Sequence, residues 1–187
     1  MALTGQQVFD ILKHKCGSLV QMAFTDVYSV DEINLDEILR RVYKQKRIPT
    51  ACVINTAEST ESKGEHYVAM AYIPGSSYGK APHCYYFDSY GFGPIQPGTY
   101  ELMRKLTGNR DMKGMEYNQT SLQDLNDPKS KACGYYVIFF IWAVCNSWTL
   151  EQVVKTFNTD KNDFLAKQLV KSIIIDNSTS RRFYPIM

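Results

Sequence analysis

Between Lys131 and Glu151 the chain carries no charged residue, and its middle, Tyr135 to Cys145, is an unbroken apolar run of 11 residues. No other stretch constrains the fold as much. A helix that crosses a bilayer needs about 20 apolar residues, and this run gives way at once to Asn146 and Ser147. Its length suits a helix of about three turns that is apolar all round and therefore buried on all sides. The rest of the chain must supply the walls, and no membrane span is expected.

The walls are legible upstream. "ACVINTA" (51–57), "HYVAMAYIP" (66–74) and "CYYFDSYG" (84–91) are short and rich in β-formers, and "ESTESKGE" and "PGSSYGKAP" separate them. They predict a strand meander at the centre of a sheet, with "MEYNQTSL" as a further strand. Helices are expected around it. Thr4 with Gln7 and Thr149 with Gln152 have capping-box spacing, and Ser29 with Glu32 marks a further start ahead of Ile33, Ile38 and Val42, with Pro49 as its stop. "GTYELMRKL" and "KNDFLAKQLVKSIII" complete the set. The fold class is α+β, a central mixed β-sheet flanked by helices, with 1–187 as one domain. A chain of 187 residues buries roughly two-thirds to 70% of its unfolded surface, enough for a full core.

Composition excludes little. A net charge of +2 demands no acidic partner, and the basic run "RRVYKQKR" reads as a solvated helix end. The five cysteines contain no C-x-x-C pair, so a zinc ribbon has no support. "MALTGQQVFD" lacks the pattern of a signal peptide, and with an odd cysteine count this predicts free thiols in a reducing compartment.

Three histidines are present. His14 sits among lysines and His83 in a loop after Pro82, both readings of a solvated side chain. His66 opens an apolar strand, and the following strand sets Asp88 among Tyr85, Tyr86, Phe87 and Tyr90. A carboxylate in such surroundings costs several kcal/mol unless it is paired. If the two strands are neighbours, Asp88 reaches the ring of His66 and fixes its tautomer, which makes half of a nucleophilic site. Cys133 has the setting for the other half. It stands at the entrance of the apolar helix, whose free N–H groups and positive dipole end favour the thiolate, the reactive form. Gly134 is expected to let backbone and substrate approach closely. Cys52 and Cys145, inside apolar runs, read as core filler.

His, acid, then Cys, in "HYVAMAY", "CYYFDSYGF" and "SKACGYY", resembles the adenovirus protease (adenain) family, which is related to the proteases of SUMO and other ubiquitin-like proteins. "ACVINTAESTESKGEHY" is similar to the segment that leads into the family's histidine. The likeness covers about 51–93 and 126–140. It implies a papain-like arrangement with Cys133 as nucleophile, His66 as base and Asp88, where adenain has glutamate, as the residue that orients it. The family's oxyanion-hole glutamine corresponds to Asn126, seven residues before Cys133, with Gln123 as the alternative, and the Cys133 backbone N–H is the second donor. Tyr67 stands where the family usually has tryptophan. The resemblance implies a cysteine endopeptidase without metal or organic cofactor that acts on polypeptides at small-residue or glycine-containing sites. Capsid precursors of a DNA virus are the expected substrates, in the host cytoplasm, viral factory and virion. Ubiquitin-like proteins are the alternative substrate, and acetyl transfer and a non-enzymatic binding role are the remaining rivals. "DMKGMEYNQTS" has no cysteine to tether an activating peptide by a disulfide, which leaves peptide or nucleic-acid activation open.

Overall fold

The computed structural model describes residues 2–60, 66–75, 81–108, 114–124 and 131–178. Helix α1 (Gly5–His14) starts at the expected capping box, in which Thr4 accepts from the Gln7 N–H and the Gln7 side chain accepts from the Thr4 N–H. A short helix α2 (Ser18–Ala23) then runs directly into strand β1 (Phe24–Ser29), and the sequence reading anticipated neither. The helix start expected at Ser29 is instead a turn, closed by the Glu32 N–H on the Ser29 carbonyl at 3.0 Å. Helix α3 (Leu35–Lys44) begins later, where Asn34 Oδ1 accepts from the Glu37 N–H at 3.0 Å, and it ends ahead of Pro49. Phe24, Thr25 and Tyr28 are buried in β1 beside the next strand. Sheet pairing therefore claims Ser29, opposite Asn55, and Asn34, an equally good cap, starts the helix instead.

Strands β2 (Thr50–Asn55), β3 (Tyr67–Ile73) and β4 (His83–Phe87) form the predicted meander, antiparallel throughout. After helix α4 (Pro97–Thr107), strand β5 (Met115–Tyr117) pairs parallel with β4, as β1 does with β2, so the order is β1-β2-β3-β4-β5 and the sheet is mixed. Helices α5 (Cys133–Cys145), α6 (Leu150–Thr156) and α7 (Asn162–Ser178) complete the described chain. No helix among the described residues is long and apolar enough to cross a membrane.

Alternation along the strands builds two cores. Ala51, Val53, Ala69, Ala71, Tyr85 and Phe87 face α1, α2, α5, α6 and α7. Cys52, Ile54, Val68, Met70, Cys84 and Tyr86 face α3 and α4. A sheet covered on both faces explains why its strands read as continuous apolar runs. The apolar run of α5 is the spine of the larger core, with Tyr136 through Ile141 at most 1% exposed. The Phe140 ring stacks on Phe87 with centroids 4.8 Å apart and planes 8° apart, which ties α5 to the end of β4. Phe140→Ala is expected to cost about 3–5 kcal/mol of unfolding free energy by urea titration, because both rings are fully buried and little can collapse into the space.

The topology gathers particular ends. The C-terminal ends of β1, β2, β4 and β5 and the N-terminal end of β3 lie at one end of the sheet.

Candidate active site

His66 stands one residue before β3, its carbonyl still paired with the Thr56 N–H at 2.9 Å. Extending the β3–β4 register from Ala69 opposite Phe87 sets His66 opposite Tyr90 and diagonal to Asp88 on the same face. The side chains follow that geometry. The Tyr90 ring stacks on the imidazole with centroids 4.4 Å apart and planes 21° apart, and His66 Nε2 meets Asp88 Oδ1 at 2.6 Å. The expected pair therefore forms, with side chains only 11% and 5% exposed. A carboxylate only accepts, so in neutral His66 the proton sits on Nε2 and Nδ1 is left as an acceptor.

The Asp88 backbone is clasped by a residue the sequence reading passed over. Asn118, just beyond β5, accepts from the Asp88 N–H at 3.0 Å and donates to the Asp88 carbonyl at 2.6 Å. Oδ1 of Asp88 also accepts from the Tyr90 N–H at 2.8 Å, and a turn closes from the Gly91 N–H to the Asp88 carbonyl at 2.8 Å. Gly91 has φ +78°, and a Cβ there would lie 2.7 Å from the Thr120 backbone, so glycine is required. The signal available in the sequence was an asparagine directly after a short strand.

Cys133 is the first residue of α5, partly exposed, whereas Cys16, Cys52, Cys84 and Cys145 are buried; all five thiols are free. Burial pushes Cys16, Cys52 and Cys145 up to about 12 and Cys84 higher still. The N-cap residue of the helix is Ala132, which has no side chain able to cap it. Gly134 allows a close approach: a Cβ there would meet Leu3 at 3.1 Å and Val8 at 3.4 Å, so the glycine lets the N-terminal segment pack on α5.

Cys133 and His66 interact electrostatically. Burial, the largest influence on His66, lowers its pKa, but hydrogen bonding and charge from Asp88 and Cys133 outweigh it and carry the imidazole up to about 9. His66 Nδ1 is buried, and no partner among the described residues completes a well-formed hydrogen bond with it. The thiol is thus close enough to act on the ring without a tight bond, a looseness common in sites without substrate. Burial and then the charge of Cys133 also raise the phenols of Tyr67 and Tyr90.

Of the two oxyanion candidates, Asn126 lies outside the described residues. Gln123 lies within them and is 3% exposed. Its Oε1 accepts from the Ser89 hydroxyl at 2.8 Å, and its Nε2 donates to the Tyr90 hydroxyl at 3.3 Å. The preceding residue is pinned by α5 and by the start of α7, because Tyr136 and Asn162 donate to the Leu122 carbonyl at 3.0 and 3.1 Å. A cleft of about 830 Å³ opens nearby, lined by Leu3, Gly5, Val27, Asn55, Tyr67 and Lys131 among others.

A thiol at the head of a buried helix, with a His–Asp pair at the end of a mixed sheet, is an arrangement suited to a cysteine protease. The sequence profile described as adenovirus endoprotease matches residues 41–183, and the chain belongs to that family. The fold is similar to the crystal structure of a protease from African swine fever virus, at 18% identity and a TM-score of 0.59, covering 87% of this chain and 64% of that one. It is also similar to the Rickettsia bellii effector protein RickCE, at 16% identity and a TM-score of 0.50, covering 81% of this chain and 58% of that one. The chain thus spans less than two-thirds of the length of either protein. A comparison with curated proteins gives no significant match.

Proposed function

We propose that this protein is a cysteine endopeptidase that cleaves viral capsid precursors at small-residue or glycine-containing sites during virion maturation, in the viral factory and the virion. The observation that carries the reading is the His66–Asp88 contact at 2.6 Å, with the remaining ring nitrogen buried and under the influence of Cys133.

The geometry supports the following course. His66, oriented by Asp88, takes the Cys133 proton or already holds it as an ion pair, and the thiolate attacks the scissile carbonyl. The negative charge that develops on the carbonyl oxygen is met by the Cys133 N–H and by a side-chain amide, from Gln123 or from Asn126. What favours Gln123 is its position against Tyr90, which stacks on His66. Protonated His66 then delivers its proton to the departing amine, leaving a thioester on Cys133. Water, deprotonated by His66, cleaves the thioester to the carboxylic acid and restores the thiol. The second reading, an isopeptidase for ubiquitin-like proteins, uses the same steps and differs only in what binds the cleft.

Two substrates separate these readings: quenched-fluorescence peptides spanning glycine-containing sites of a capsid precursor, and a ubiquitin-like protein fused through its C-terminus to a reporter. Peptide cleavage with kcat/KM at least tenfold above that of the fusion is the expected result. The reverse ranking would transfer the assignment to the isopeptidase.

A further inference from the structure

The loop after β4 carries exposed apolar side chains that neither core uses. Phe92 is 57% exposed, Ile95 76% and Tyr117, at the end of β5, 36%. Gly93 joins them: a Cβ on it would touch the Tyr117 ring at 3.1 Å, its carbonyl accepts from the Ile95 N–H at 2.8 Å, and Phe92, the residue before it, lies edge-on to Tyr90 with centroids 6.4 Å apart. Tyr90 in turn stacks on His66. An apolar ridge therefore starts at the imidazole and runs outward over the surface.

We propose that this ridge, with Phe92 at its centre, binds the part of the polypeptide substrate downstream of the scissile bond and selects large apolar side chains there. The inference rests on the endopeptidase reading above. Its direction comes from the chemistry. The imidazole that protonates the leaving amine must touch it, so the downstream chain emerges on the His66 side of Cys133, where Tyr90 and then Phe92 form the surface. Room for the acyl portion lies in the cleft bordered by Tyr67, the residue after His66, and by Lys131, two residues before Cys133. A downstream chain that leaves along Tyr90 has the Phe92–Ile95–Tyr117 surface in front of it, and exposed apolar groups continuous with a reacting centre are suited to a side chain that loses water on binding.

The test uses the full chain and two kinds of substrate with one upstream sequence. One is an aminomethylcoumarin amide that ends at the scissile bond, and the other continues for several residues, with either leucine or serine at the second and third positions after the cut. Wild type is expected to prefer the leucine peptide by about tenfold in kcat/KM, in keeping with the loss of one or two apolar contacts. In Phe92→Ser combined with Ile95→Ser that ratio is expected to fall to near one. Both positions are exposed, so the variant keeps its fold, which a thermal melt checks. Hydrolysis of all substrates with no leucine preference in wild type, or with a preference that survives the double substitution, overturns this inference alone. Hydrolysis of none of them, the coumarin amide included, overturns it together with the endopeptidase reading.

Discussion

Cys133→Ala is expected to lower peptide hydrolysis by about 10⁴-fold or more while leaving the fold intact. Removing the nucleophile of a triad enzyme removes the covalent route altogether, and what survives is the small contribution of binding and oxyanion contacts. The fold should tolerate the change for reasons visible in the structure. Cys133 is partly exposed at the first position of α5, and the helix is anchored further along by Tyr136 through Ile141. The melting temperature should therefore shift by no more than a few degrees. Intact-mass measurement after brief iodoacetamide treatment supplies a second readout. One adduct is expected in wild type and none in the variant, because the other four thiols are buried and burial holds their pKa values far above the working range. Wild-type turnover in Cys133→Ala, or adducts spread over several cysteines, would remove Cys133 from the mechanism.

The parts of this molecule that were legible in sequence were those written in local pattern. Capping boxes at Thr4 and Thr149, the apolar length of α5 and the three β-rich runs each occupy a few adjacent residues, and each formed where expected. β1 was missed because "FTDVYS" has neither strict alternation nor an apolar run, and its pairing partner begins more than 20 residues later. The His66–Asp88 contact could be anticipated because a carboxylate between aromatic strand residues demands a partner. Asn118 could not, since its role depends on β5 pairing with β4 and on the turn that Gly91 permits. Tyr90 lay between these cases. It was named as part of the apolar setting of Asp88, but its position over the imidazole follows from strand register, which composition does not report.

Asp88→Asn is expected to reduce kcat by about 10²- to 10⁴-fold and to move the alkaline limb of the rate profile downward. In wild type the imidazolium persists up to about pH 9, so the proton needed by the leaving amine is present through neutral pH and is lost as pH rises through that value. The direction of the shift follows from the opposing causes. Burial lowers the His66 pKa and is the largest influence, while Asp88 and Cys133 raise it. An asparagine leaves the burial in place and removes the carboxylate charge, so the limb should fall toward or below the free imidazole value of about 6.5. Stability obeys the same linkage. A group whose pKa is higher folded than unfolded stabilises the fold fully below its unfolded value, and that contribution disappears as pH rises through its folded value. Wild type should therefore lose up to about 3 kcal/mol between pH 6.5 and 9, and Asp88→Asn should lose much less over the same window. Urea denaturation at pH 6 and pH 10 reads the difference directly. A variant whose rate profile and stability difference both match wild type would mean that Asp88 does not govern the charge on His66, and the short contact would then be structural.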